Sequence, residues 1–180
     1  MFRRVSTFLS LPTGDQLASL EAAFFFARAR KQLRRPFSQL VPLLGEHCRE
    51  TSRTILDRNQ LECIFRVRQA VKVVSKRLPW DCKCFAQALV AKAMLERREV
   101  EGTLYLGVKR GGERGIEAHA WLRSGDQLVT GGKEFVNYAA VSSFAFGPQL
   151  MDRPWGEWTP KSHVSTPDAL VAKLEKIELR

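Results

Sequence analysis

Cys84 opens the apolar run Cys84-Phe-Ala-Gln-Ala-Leu, and His119 sits downstream in Ala118-His-Ala-Trp121. A sulfur nucleophile and a base that can make it thiolate are the two groups a thiol hydrolase needs. Position decides whether such a thiol reacts. Just after Pro79-Trp80-Asp81, Cys84 falls in the first turn of a helix, where unpaired backbone N–H groups and the positive end of the dipole favour thiolate. The same N–H groups could hold a developing oxyanion. The plainer reading makes Cys84 a small hydrophobe in an alanine-rich helix, and His119 a structural strand residue. Trp80 and Trp121 would shield a catalytic pair, or simply fill a core.

A third group usually orients the imidazole. A hairpin turning at Gly125-Asp126 puts the residue opposite His119 near 130–132, where no carboxylate stands. Asp126 is the acid taken for the catalytic set with Cys84 and His119, although this register leaves it at the far end of the hairpin. Glu117 shares the His119 face from two residues away. Asn, a carbonyl or a hydroxyl can also fix the tautomer.

The elements that must position these groups change period along the chain. Residues 16–35 read as a helix capped by Asp15, with Leu17, Leu20, Phe24 and Ala27 on one stripe; Arg28, Arg30, Arg34 and Arg35 load its C-terminal end, and Pro36 stops it. Its run Ala22-Ala-Phe-Phe-Phe-Ala suits a core helix or an interfacial one, and is far short of the roughly 20 apolar residues a membrane span needs. A second helical stretch covers 37–44. A third runs over 59–77, with Leu61, Ile64, Phe65, Val67, Val71 and Val74 at helical spacing. The fourth, from Cys84 to Arg98, is apolar nearly all round and should be the central buried helix. Thereafter the period is two. Residues 103–109 alternate, and 116–123 set Ile116, Ala118, Ala120 and Leu122 against Glu117, His119, Trp121 and Arg123. A turn at 124–127 leads into a strand over 128–130. Helices followed by an antiparallel meander make the fold class α+β. The expected organisation is an N-terminal arm (1–15), one catalytic unit (16–146) and a C-terminal extension (147–180), with a short amphipathic helix over 168–179.

The chain has 180 residues and a net charge of +10, enough length for one real core. Residues 1–80 carry 15 Lys and Arg against 6 Asp and Glu, so nearly all the basic surplus lies in that half. Such a surface could face nucleic acid, an anionic membrane or an acidic peptide, or be a solvated helical face. Four cysteines and no secretory signal point to a reduced, cytoplasmic protein, with membrane association left open. Cys82-Lys-Cys84 lacks zinc-finger spacing, so neither metal nor cofactor is expected.

Trp80-x-x-x-Cys84-Phe-x-Gln-Ala-Leu, Leu95-Glu-Arg-Arg, Leu106-Gly-Val-Lys and Ala118-His-Ala-Trp, in that order, resemble the leader peptidases (B proteins) of lasso peptide biosynthesis, within the transglutaminase-like, papain-like superfamily. The resemblance runs over about 16–146 and is densest over 80–132. It implies a Cys-His-Asp hydrolase that removes the leader from a ribosomally made precursor, beside an ATP-dependent macrolactam synthetase. Cys84 matches the nucleophile and His119 the base. The implied acid position falls at Gly131, within Val129-Thr-Gly-Gly132, which departs from the pattern. The 80 or so residues before Cys84 lack the strand-rich pattern of a winged-helix leader-recognition domain, so a separate leader-recognition protein is the expected partner, with no nucleic acid. Two rival readings are acyl transfer to an amine, as in true transglutaminases, and a non-catalytic basic scaffold that binds a partner or membrane.

Overall fold

The computed structural model describes residues 12–111 and 115–148. The helices are α1 (Thr13–Gln32), a 3-10 turn (Phe37–Gln39), the short α2 (Val41–Leu44), α3 (Arg58–Ser75) and α4 (Cys84–Glu96). The strands are β1 (Glu46–His47), β2 (Gly102–Arg110), β3 (Ile116–Ser124), β4 (Gln127–Thr130) and β5 (Ala139–Phe146), with a 3-10 turn (Lys133–Asn137) between the last two. They form one sheet in the order β1-β5-β2-β3-β4. Every pairing is antiparallel. The α+β expectation therefore holds.

Helix α4 is the centre of the molecule. Phe85, Ala88, Val90, Ala91, Met94 and Leu95 are all buried, and the helix packs on α1, α3 and the sheet. It is apolar all round because it has neighbours all round. Its sheet-side partners are Leu104, Leu106, Ala120, Leu122 and Phe144, each fully buried. The first four are alternate residues that the period of two assigns to one face.

Helix α1 differs from its expected packing. Leu17, Leu20 and Phe24, the stripe read as core, are 67%, 58% and 63% exposed. The face turned inward carries Ala18, Ala22, Phe25, Phe26 and Ala29. Both stripes have helical spacing, so periodicity alone could not choose between them. Alanines win because α1 lies against both α3 and α4, and small side chains let backbones come close. The helix also starts at Thr13 after Pro12, so Asp15 does not cap it. Asp15 lies within the first turn and pairs with Arg66 of α3 at 3.4 Å. Helix α3 has a true capping box: the Asp57 side chain accepts from Gln60 N–H, and the Gln60 side chain accepts from Asp57 N–H.

Strand β5 and the two-residue β1 fall outside the expected meander. β5 lies between β1 and β2, so the chain must cross from the β4 edge to the far side of β2 through residues 131–138. That crossing passes His119, which meets Gly131 and Tyr138 on it. The helix expected over 168–179 and the first 11 residues lie outside the described residues. Among the described residues, no helix is long and apolar enough to cross a membrane.

Candidate active site

The site sits where β4 stops. β3 pairs with β2 along its whole length, from Thr103↔Arg123 to Arg110↔Ile116, but with β4 only from Leu122 to Ser124. Below Leu122, among the described residues, no strand lies beside the outer edge of β3, and the first turn of α4 meets it at Ala120. Cys84 is its first residue. The loop ahead of it is fixed from within the helix: the Gln87 side chain donates to the Cys82 carbonyl at 2.8 Å, and the Gln87 backbone N–H donates to the Lys83 carbonyl. Trp80 is held from the other side by the Arg30 guanidinium, 4.8 Å from its ring. Gln87, part of the Cys84-Phe-x-Gln block, thus anchors the turn that presents the thiol.

Cys84 and His119 are hydrogen-bonded to each other. Burial pushes the Cys84 thiol up, but the bond from His119, the backbone N–H of Ala120, the imidazolium charge and the backbone N–H of Phe85 outweigh it, and its pKa falls. His119 moves the opposite way. The bond to Cys84 raises its pKa against the desolvation that lowers it, helped by the Gly131 carbonyl, the Cys84 charge and the more distant Glu134 charge. Opposite shifts in a contacting thiol and imidazole favour the thiolate–imidazolium form.

The tautomer follows from one contact. His119 Nε2 lies 2.8 Å from the Gly131 carbonyl oxygen, which can only accept, so Nε2 carries the proton and donates. Nδ1 is left for the thiol. The ring is also held by its faces: Tyr138 stacks on it at 4.8 Å between centroids and Trp121 at 6.1 Å. Trp121 in turn stacks on Tyr105 and meets Phe135. It leans over Gly107, where an added Cβ would meet the indole at 2.6 Å. Tyr138 is steadied by Glu117, whose carboxylate accepts from its hydroxyl at 3.4 Å and pairs with Lys109 at 2.8 Å.

Asp126 is not brought to His119. It sits in the two-residue turn between β3 and β4, where its side chain accepts from Gln127. From His119 to Ser124 alone, five strand steps at about 3.3 Å make roughly 17 Å. The third position is filled by the main-chain oxygen of Gly131 instead. Gly131 has φ +102°, and a Cβ there would stand 2.2 Å from Trp121 Cβ, so this turn admits no side chain. Glu117 faces Lys109 and Tyr138 rather than the imidazole.

The chain supplies its own contrast. Cys48 Sγ lies 3.2 and 3.4 Å from the two ring nitrogens of His47. Near-equal distances place the sulfur over the ring rather than in line with either nitrogen, and His47 Nε2 is engaged by the Ser142 hydroxyl at 2.8 Å. Burial raises the Cys48 thiol and lowers His47, the reverse of an activated pair. Cys63 and Cys82 are raised too, chiefly by burial. All four cysteines are free, and Cys84 alone is shifted toward thiolate.

Behind the site, Arg123 ties the 50–52 segment to the sheet. Its side chain donates to the Tyr105 hydroxyl, the Thr51 and Gly125 carbonyls and the Glu50 carboxylate at 2.8–3.1 Å. Thr51 N–H also donates to Thr103 Oγ1 at 2.9 Å. The strand pattern put Arg123 on the His119 face, but nothing in the sequence marked its partners.

No curated protein and no solved structure matches the chain. The family model of the transglutaminase-like superfamily matches residues 23–143, from the middle of α1 through most of β5, and so spans both Cys84 and His119. With a helix-borne thiol set against a strand-borne imidazole over that span, the chain belongs to the transglutaminase-like superfamily.

Proposed function

We propose that this protein is a cysteine peptidase that removes the leader from a ribosomally made lasso peptide precursor, using Cys84 and His119. The carrying observation is that one thiol of four is pulled toward thiolate, and that thiol is bonded to the imidazole with the raised pKa. The Cys84 thiolate attacks the scissile carbonyl, forming a C–S bond. Backbone N–H groups at the start of α4 stabilise the tetrahedral oxyanion. His119 then gives its Nδ1 proton to the departing amine as the C–N bond breaks. Water, deprotonated by the same nitrogen, hydrolyses the thioester and restores the thiol.

The substrate class rests on the resemblance of the blocks around Trp80, Cys84, Leu95, Leu106 and His119 to lasso leader peptidases. Under this reading a separate leader-recognition protein delivers the precursor, and a macrolactam synthetase closes the ring afterward. The exposed Leu17, Leu20 and Phe24 on α1 offer an apolar face for such a partner, although a membrane surface would also suit them.

The test is incubation of precursor and leader-recognition protein with wild type and with Cys84→Ala, read by mass. Release of leader and core, each intact and together heavier than the precursor by one water, is expected from wild type alone. Equal cleavage by both refutes the proposal. A product carrying an added amine instead of water would make the protein an acyltransferase.

A further inference from the structure

The two-residue turn at Gly125-Asp126 makes Ser124↔Gln127 the hydrogen-bonded pair that closes the β3–β4 hairpin. The main-chain groups of Ser124 and, by the period of two, of Leu122, Ala120, Ala118 and Ile116 therefore point away from β2, toward the β4 side. The Ala120 N–H confirms this parity, because it is the group that reaches Cys84 Sγ. β4 has ended by then, so among the described residues no strand pairs with Ala118 or Ile116 on that side. An exposed edge of this kind is a template for another chain. Here it runs straight into the nucleophile.

We infer that the substrate binds in extended form as an added strand on the β3 edge, pairing with the main chain of Ala118 and Ile116, so that its scissile carbonyl is laid beside Cys84. This rests on the peptidase reading above and gives its substrate a binding mode. Recognition would come mainly from backbone amides, as in other cases of strand addition. Ala118 is half-buried and Ile116 is 47% exposed, so this stretch of the edge is not covered over. On one flank, the Lys109–Glu117 pair and Tyr138 form a fixed polar wall. A folded or helical segment could not use this edge. A segment that the enzyme cleaves there must be extended for several residues around the cut.

The probes are epoxysuccinyl electrophiles with a tripeptide arm on each side, made once with ordinary amides and once with N-methylation at each arm position. Each is compared with iodoacetamide, which has no arms and reports the thiolate alone. On the full chain, ordinary arms should speed Cys84 alkylation, and N-methylation should cut that gain at alternate positions by about ten-fold per lost bond. Ala118→Pro removes the edge N–H from a position where an edge strand tolerates proline. It should lower the peptide-probe rate, taken relative to that variant's own iodoacetamide rate, by a similar factor. Uniform indifference to N-methylation, or an unchanged ratio of peptide to iodoacetamide rates in Ala118→Pro, would overturn the edge-docking inference. A Cys84 no more reactive to iodoacetamide than the other three cysteines would strike the catalytic reading instead, so the two failures are distinguishable.

Discussion

Placing a carboxylate at position 131, where the resemblance implies one, should damage the proposed activity. In Gly131→Asp the new Cβ would stand 2.2 Å from Trp121 Cβ and 2.9 Å from its Cα. Carbons in contact sit about 3.5–4.0 Å apart, so the turn must move by roughly 1.3 Å or more. A non-glycine residue held at positive φ adds about 1–3 kcal/mol of strain, and φ here is +102°. Any such movement draws the Gly131 carbonyl from His119 Nε2. A hydrogen bond to a charged group contributes about 1.5–3 kcal/mol, which corresponds to a loss of about 10- to 150-fold in rate at 1.36 kcal/mol per decade. The assay is peptide turnover together with thermal melting, for Gly131→Asp and Gly131→Ala side by side. Both should lose stability and activity to a similar extent, because both add the same Cβ. A folded Gly131→Asp more active than wild type would show that a carboxylate can serve there, and would refute the assignment of the carbonyl to the orienting role.

Other expectations follow from the same contacts. Turnover needs thiolate and imidazolium together, so it should rise as pH climbs through a Cys84 midpoint below the ordinary 9.0, and fall as pH passes a His119 midpoint above the ordinary 6.5. The two midpoints belong to the coupled pair, and a pH–rate profile whose acidic limb lies at or above 9.0 would contradict the shift. Gln87→Leu frees the Cys82 carbonyl and should lower turnover several-fold with little change in the melting curve, read as kcat and KM on a peptide substrate; an unchanged kcat would remove Gln87 from the positioning role. Arg123→Met removes the bonds to Tyr105, Thr51, Gly125 and Glu50. At about 1 kcal/mol each, the loss in stability should be roughly 3–4 kcal/mol by denaturant titration, and a loss under about 1 kcal/mol would show that the strap is not held there.

That Cys84 and His119 should meet is legible in the sequence because each sits on an element with an unambiguous pattern. Cys84 starts a helix that is apolar all round, and His119 lies on a strand whose other face, Ala120 and Leu122, is completely buried. The hairpin turn fixed the register closely enough to put the residue opposite His119 near 130–132. That stretch is where the orienting oxygen lies, but a main-chain carbonyl leaves no trace in side-chain identity. Asp126 is an aspartate in the same hairpin, but the turn holds it at the end far from His119. Tyr138 and the crossing segment were not legible because β5 pairs with β2 across a long separation, with no alternation in Ala139–Phe146 to announce it. The inward face of α1 is hidden from the sequence for a related reason. Leu17, Leu20 and Phe24 are the more hydrophobic stripe, yet contact with two helices at once selected alanines.

The central claim is that His119 makes Cys84 a thiolate. Its most direct test is the pH dependence of Cys84 alkylation by iodoacetamide, read at that residue by mass, in wild type and in His119→Ala. The wild-type midpoint should lie below the ordinary thiol value of 9.0, and His119→Ala should move it upward, because the burial that raises it would lose its largest opposing influence. Coincident midpoints in the two proteins would contradict the account.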